Sequence, residues 1–95
     1  MDTHEDAVEA LATLSRQAAL MSQVTLAREF DEARVLLARI TVDAAEQGQG
    51  AIVNAAQGLA RVLGAEGSVP RPGYGAGILE LAEALDAAQE NLLAR

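Results

Sequence analysis

One histidine and fourteen carboxylates are the residues of this chain whose side chains could do acid–base or metal chemistry. The histidine, His4, is followed directly by Glu5 and Asp6. A zinc site of the HExxH type needs a second histidine one helical turn away, and a di-metal bundle needs Glu-x-x-His pairs on facing helices. A chain with a single histidine forms neither pattern, so we expect no metal and no cofactor.

Covalent chemistry is restricted by the residues that the chain lacks. It has no cysteine, and all seven basic residues are arginines, so thiolate nucleophiles and Schiff-base lysines are excluded. The pattern Gly48-x-Gly50 could suggest a phosphate loop, but such a loop also needs a lysine and a preceding strand. Acid–base catalysis by two carboxylates stays open on spacing alone. Since no other residue supports it, we expect no catalytic residue and predict that the protein is not an enzyme.

The charge balance bears on the class of partner. The net charge is −7 at pH 7, whereas binding to a nucleic-acid backbone needs clustered cations. The first ten residues are acidic, unlike a secretory signal, which has a basic segment followed by an apolar one. The longest uncharged run, residues 47–60, is too short and too polar to cross a membrane. We therefore expect a cytoplasmic protein with no nucleic acid and no membrane among its partners.

The spacing of apolar residues predicts the fold class. In the segment 26–47 these residues recur at alternating steps of four and three, which places them on one face of a helix: Leu26, Phe30, Ala33, Leu37, Ile40 and Ala44. Three other segments carry similar stripes. We predict an all-α protein, one domain over residues 1–95, folded as an antiparallel up-and-down four-helix bundle. The predicted helices are 4–22, 26–47, 51–63 and 78–93, with a loop over 65–77.

The boundary between the first two predicted helices is the least marked one. No glycine or proline occurs between Met1 and Gln47, so one long helix is the alternative. The step of five from Met21 to Leu26 rotates the apolar stripe by roughly 140°, which would require partners on opposite sides of a straight helix. A turn at residues 22–25 lets both stripes face one core, and we therefore favour two helices.

The composition predicts a core that buries little area per residue. Aromatic residues make up 2% of the chain, so the interior must consist of Leu, Val, Ile and Ala. Alanine-rich faces let helices approach closely but bury little surface. Self-association would add buried area, and we predict a homo-oligomer, in its simplest form a homodimer. Gly58, in the middle of the third predicted helix, predicts a close approach of a neighbouring helix there.

A second, weaker apolar strip lies on the polar side of the second predicted helix. Val35 and Val42 are about 160° to 180° around the helix axis from the core stripe, and Arg39 lies between them in sequence. A second apolar strip on one helix indicates contact with a partner helix or with another copy of the protein. We therefore predict another protein as the partner, bound through Val35, Val42 and Arg39.

The predicted loop 65–77 offers a second candidate contact. Tyr74 stands between two glycines, and Arg71 stands between two prolines. An aromatic side chain in an exposed loop can anchor a partner protein, but a lone tyrosine can instead fold its ring over the open end of a bundle. Both interpretations stay open, and we include Tyr74 and Arg71 among the predicted partner-binding residues.

The run AEQGQGAIVNAAQGLARVLGAEG, followed by ILELAEALDAAQ, resembles the second half of a histidine-phosphotransfer domain. That family is a four-helix bundle whose phosphorylated helix carries the pattern A-H-x-L-K-G. Here residues 56–61 occupy that pattern, with Gln57 in the place of the histidine and Ala60 in the place of the lysine. The resemblance implies a bundle that cannot accept a phosphoryl group and that docks on a kinase or a response regulator.

The segment from Phe30 to Ile40 is similar to the second helix of a tetratricopeptide-type repeat, although a 34-residue period is not found. This similarity implies a helical-hairpin adaptor or a secretion-type chaperone. Our main prediction is a non-enzymatic protein-interaction domain or regulatory adaptor. A further alternative is an acidic inhibitor that mimics nucleic acid. It would need its carboxylates along one side, whereas here they alternate with arginines.

Overall fold

The structure is a computed structural model that describes residues 3–94. The chain forms four α-helices over this range, and no strand occurs in it. The helices are α1 (Thr3–Leu26), α2 (Phe30–Glu46), α3 (Gly50–Leu63) and α4 (Tyr74–Leu93). None of these four helices combines the length and the hydropathy that a bilayer crossing requires.

The four helices form a closed ring of neighbours. α1 packs against α2 and α4, and α3 packs against the same two helices. Successive helices are joined by short connections, so neighbours along the chain run antiparallel. This arrangement confirms the predicted all-α four-helix bundle. Its principal extents are 44 × 20 × 19 Å, so the lateral faces of the bundle are long and narrow.

The core lies on the bundle axis and consists of aliphatic side chains, as the scarcity of aromatic residues predicts. All four helices contribute to it: Leu11, Leu14, Ala18, Met21, Val24, Ala33, Leu37, Ile40, Ala44, Ile52, Ala56, Leu59, Leu63, Leu81 and Leu85. The one buried polar residue in the described range is Thr25, whose hydroxyl donates a hydrogen bond to the Met21 carbonyl at 2.7 Å. That bond satisfies the hydroxyl within its own helix.

The turn between the first two helices lies four residues later than predicted. α1 continues through the predicted break to Leu26, and α2 begins at Phe30 instead of at residue 26. Leu26, predicted as a core residue of the second helix, ends α1 with 72% of its surface exposed. The chain does double back, so the predicted pair of helices is confirmed and the alternative of one long helix is wrong. The predicted bounds 4–22 and 26–47 are wrong by several residues at this turn.

A left-handed residue explains why the sequence did not reveal this turn. The Glu29 amide donates to the Val24 carbonyl and the Arg28 amide donates to the Thr25 carbonyl, the hydrogen-bond pattern of a Schellman motif. Arg28 occupies its left-handed position with φ 63°, where glycine is usual. The turn after α2 has the same pattern with Gly48 at φ 70°. Glycine in the sequence therefore indicated the turn after α2 but not the equivalent turn after α1.

The last helix begins four residues earlier than predicted. Residues 74–77, placed by the sequence in the loop 65–77, form the first turn of α4. The connection from α3 is therefore residues 64–73, and the predicted bound of 78 for the last helix is wrong. Gly73, with φ 99°, lets the chain reverse directly before Tyr74.

The close approach expected at Gly58 occurs at another glycine. A Cβ atom added to Gly58 would meet only the Arg61 side chain, at 3.9 Å. A Cβ atom added to Gly77 would lie 2.9 Å from Leu59 Cδ1, and Leu59 is fully buried. The prediction for Gly58 is therefore wrong, and it is Gly77 that lets α4 pack tightly against α3.

Candidate functional site

The face of the bundle between its first and last helices carries an open groove. One wall is an uncharged stripe on α1 whose members recur at steps of four and three: Val8, Ala12, Ser15, Ala19, Ser22 and Leu26. At 100° per residue these six positions fall within an arc of about 80° beside the buried stripe of the same helix. The stripe runs nearly the whole length of α1 without a charged side chain.

The other wall is the side of α4 that faces α1. Gln89 Nε2 on this wall donates a hydrogen bond to Ser15 Oγ at 2.9 Å. On one side of this bond is a cleft of about 210 Å³ lined by Ala19 and Ala82 among others. On the other side is a cleft of about 190 Å³ lined by residues that include Val8. We call these two clefts and their walls the α1/α4 groove.

Three large exposed apolar side chains belong to this groove. Of the eight such residues in the described range, Val8 and Leu26 belong to the α1 stripe and Leu93 lines the smaller cleft, with exposed fractions of 40, 72 and 77%. Single exposed apolar residues are common on soluble proteins, whereas exposed apolar residues beside open clefts are typical of a binding surface. The small residues between them leave space that a partner side chain could fill.

The outer edge of the α4 wall is acidic. Asp86 lines the larger cleft, and Glu83 and Glu90, at spacings of three and four from it, are exposed on the adjoining solvent-facing side of α4. α4 carries no basic residue between Tyr74 and Leu93. The outer edge of the α1 wall carries Arg16, which donates to the Thr13 hydroxyl at 3.1 Å. The groove therefore has a negative edge on α4 and a nearly uncharged wall on α1.

The predicted contact residues of α2 lie on a different face. Val35 and Val42 are 70 and 54% exposed and point away from the core. Arg39 Nε donates to Asp43 Oδ2 at 3.2 Å, and its side chain is 71% exposed. The structure therefore brings these three predicted residues together on the outer surface of one helix. We call that surface the α2 ridge; Ala38, between the two valines, lines a cleft of about 240 Å³ with Ala60 of α3.

Tyr74 and Arg71 lie at one end of the bundle. The half-buried Tyr74 ring packs edge-on against Phe30, with 5.7 Å between ring centroids and an interplanar angle of 71°. The Arg71 side chain is exposed, and its backbone amide donates to the Val62 carbonyl at 2.9 Å. Phe30 is about 140° around α2 from Val35. Tyr74 and the α2 ridge therefore do not share a surface.

Arg34 holds the connection between α3 and α4, a role that sequence reasoning did not find. Its guanidinium donates to the carbonyls of Leu63, Gly64 and Ser68 at 2.6, 3.1 and 2.8 Å, and it also pairs with Asp31. These contacts satisfy two carbonyls at the C-terminal end of α3. Arg34 shows no distinguishing pattern in the sequence, because its partners are backbone atoms far along the chain.

Asp31 completes this cluster. Its Oδ1 atom accepts hydrogen bonds from the Gly67 amide, at 2.9 Å, and from Arg34. The Gly67 amide and then the Arg34 guanidinium stabilise the carboxylate form, which lowers the pKa of Asp31 below its ordinary value of 3.8. The cluster fixes the loop 64–73 to the start of α2. Its observed role is structural.

The residues that could do chemistry do not assemble into a metal centre. Over residues 3–94 no group of three or more His, Cys, Asp or Glu side chains could hold a metal ion. His4 lies in the first turn of α1. Gln57 and Ala60, which stand in the places of the histidine and lysine of the phosphotransfer pattern, are exposed on α3. The resemblance to that family stays a prediction.

Comparison with protein-family models, with curated proteins and with solved structures gives no match for this chain. The functional interpretation therefore depends on the chemical character of the surface. Its most distinctive feature is the α1/α4 groove.

Proposed function

We propose that the protein is a non-enzymatic interaction domain and that the α1/α4 groove receives a helix of another protein. The observation that carries this proposal is the pair of open clefts between α1 and α4, with exposed Val8 and Leu93 at the smaller cleft and exposed Leu26 at the far end of the α1 stripe. Covering these side chains would remove apolar surface from water, the main favourable contribution to protein association. Helix-in-groove binding is a common mode of peptide recognition.

The groove suits a partner helix better than the α2 ridge does. A helix laid between α1 and α4 contacts both, whereas a helix laid on the outward-facing Val35 and Val42 lies mainly on α2. The extents of 44 and 20 Å give a lateral face an area similar to the roughly 800 Å² that each partner contributes to a standard interface. The groove therefore supplies apolar anchors, and the lateral face that holds it is large enough for such an interface.

Affinity capture from a native cell extract tests this proposal. The wild-type protein is compared with Ala19→Arg, which places a long charged side chain in the groove, and with Ala38→Arg, which makes the same change on exposed α2. We expect Ala19→Arg to lose the captured partner and Ala38→Arg to retain it, with circular dichroism showing equal helicity. Retention by both variants, or loss from both, would contradict the groove as the binding surface.

The exposed α2 ridge favours a second candidate, self-association. The ridge is self-complementary, because two copies crossing antiparallel place Val35 of each opposite Val42 of the other, with Arg39 beside the crossing. Both valines are more than half exposed, so a second copy could cover them. Val42→Glu should then lower the oligomer mass measured by native mass spectrometry and leave the helicity unchanged. An unchanged mass would exclude this ridge as the dimer contact.

A further inference from the structure

The charge on the groove walls bears on the chemistry of its occupant. Asp86 lines the larger cleft, and Glu83 and Glu90 lie one turn to either side of it on the same helix. The rise from Glu83 to Glu90 is about 10 Å at 1.5 Å per residue. In a bound partner helix, which we call the guest, cations spaced three and four residues apart would recur at the same distances as these three carboxylates. Opposite charges at such an edge increase both the association rate and the specificity.

The opposite wall defines the orientation of the guest. The stripe on α1 is uncharged from Val8 to Leu26 and contains the small residues Ala12 and Ala19. A charged guest side chain facing this wall would lose solvation without gaining a partner. The guest must therefore direct apolar side chains toward α1 and the clefts, and its basic edge toward α4.

The length of the groove indicates how long the bound partner helix should be. The stripe from Val8 to Leu26 rises about 27 Å along α1. A guest helix of about 18 residues matches that distance, and large apolar side chains at every third or fourth position would reach the two clefts. A second copy of this chain fits poorly at this face, because each copy carries a net charge of −7 and the same acidic edge on α4.

We infer, on the basis of the proposed function, that the occupant of the α1/α4 groove is an amphipathic α-helix of another protein with a row of lysine or arginine along one edge. The apolar face of this helix covers Val8, Leu26, Leu93 and the two clefts. Its basic edge lies over Glu83, Asp86 and Glu90. Apolar burial supplies most of the affinity, and the charges select the partner and its orientation.

Two synthetic peptides of 18 residues test this inference by fluorescence anisotropy. Both carry the same leucine stripe, and one has a lysine edge where the other has a glutamate edge. The wild-type protein should bind the lysine peptide at least about tenfold more tightly, and added salt should reduce the difference. Equal binding of the two peptides would overturn the inference.

Charge variants of the protein locate the contact. Asp86→Asn combined with Glu90→Gln should weaken binding of the lysine peptide about fivefold, as expected for two partly exposed ion pairs. The matched control, Glu32→Gln combined with Glu46→Gln, removes the same charge from α2 and should change binding less than about twofold. Equal weakening by both double variants would show a general charge effect and overturn the inference.

A further variant separates this inference from the proposed function. Ala19→Arg should abolish binding of the lysine peptide, because it obstructs the groove. Failure of both peptides to bind, while the partner captured from the extract is lost with Ala19→Arg, would overturn the basic-helix inference and leave the groove as the partner surface. Tight binding of the lysine peptide to Ala19→Arg would overturn the inference by placing the peptide elsewhere.

Discussion

Arg28 is the residue whose backbone conformation least suits its side chain. It holds a left-handed φ of 63° at the end of α1, and the equivalent position at the end of α2 is Gly48 with φ 70°. A side chain with a Cβ atom costs about 1 kcal/mol or more in this conformation, whereas glycine adopts it readily. The two turns therefore share one backbone conformation and differ in the residue, arginine or glycine, at the left-handed position.

Arg28→Gly should stabilise the protein by about 1 kcal/mol because it removes the left-handed penalty. Urea denaturation measures the change, and for a domain of this size the melting temperature should rise by about 4 to 8 °C. The reciprocal control, Gly48→Arg, should destabilise by a similar amount, since a Cβ atom there meets no other group and only the backbone penalty is added. A loss of stability in Arg28→Gly would contradict this explanation of the turn.

The Arg34 cluster predicts that two arginines of α2 contribute very differently to stability. Arg34 is 13% exposed in its side chain and bonds three carbonyls, whereas Arg39 is 71% exposed and bonds one carboxylate. Arg34→Met should lower the free energy of unfolding by about 2 kcal/mol. Arg39→Met should change it by less than about 0.5 kcal/mol. Equal effects in urea denaturation would rule out Arg34 as the residue that holds the loop.

Asp31 predicts a dependence of stability on pH. Its pKa in the folded protein is lowered, so its contribution is fully present above the unfolded value near 3.8 and is lost as pH falls through the lower folded value. The stability difference between the wild type and Asp31→Asn should therefore be constant near neutral pH and shrink below about pH 4. Urea denaturation over this range measures it, and NMR titration of the carboxyl gives its pKa. A folded pKa above 3.8 would contradict the observed hydrogen bonds.

Two helical glycines differ in what surrounds them. A Cβ atom added to Gly58 on α3 would meet only the Arg61 side chain, at 3.9 Å, whereas Gly77 faces the buried Leu59 side chain from the first turn of α4. Gly58→Ala should stabilise by up to about 1 kcal/mol through helix propensity alone. In Gly77→Ala the same gain is opposed by overpacking of about 1 to 3 kcal/mol, so this variant should not be stabilised. Thermal melts of both variants check the comparison. A gain in Gly77→Ala equal to that in Gly58→Ala would show that the contact between α3 and α4 is loose.

At the scale of elements, helical periodicity was sufficient to predict the four helices and their packing around one core. The helix ends were harder to predict. The turn at Arg28 has no glycine, and the start of α4 at Tyr74 lies inside a glycine-rich segment that reads as loop. Both ends are fixed by contacts distant in sequence or by a backbone conformation that the residue type does not indicate.

The α1/α4 groove was missed because its stripe is uncharged without being strongly apolar. Ser15, Ser22 and Gln89 interrupt the apolar residues, so the groove positions show no strong apolar periodicity of their own beside the core stripe of α1. A stripe of six uncharged residues at helical spacing was the available signal. Val35 and Val42 were found because they stand on a charged face, and the structure confirms that both are exposed.

At the scale of the whole molecule, the bundle closes its core and leaves a groove between α1 and α4 with apolar walls and an acidic edge. The bundle has few large side chains, and its small residues are what leave the clefts open between α1 and α4. The central claim is that a partner helix fills this groove. Alanine methyl groups occur both in the groove and on α2, and they provide reporters on both surfaces.

The most direct measurement is NMR of the protein labelled with ¹³C at its alanine methyl groups and titrated with the lysine-edged peptide. The account predicts that the methyl signals of Ala12, Ala19 and Ala82 shift and show contacts to the leucines of the peptide, while those of Ala38 and Ala45 stay unchanged. The largest shifts at Ala38 and Ala45, with unchanged signals from the three groove alanines, would contradict it.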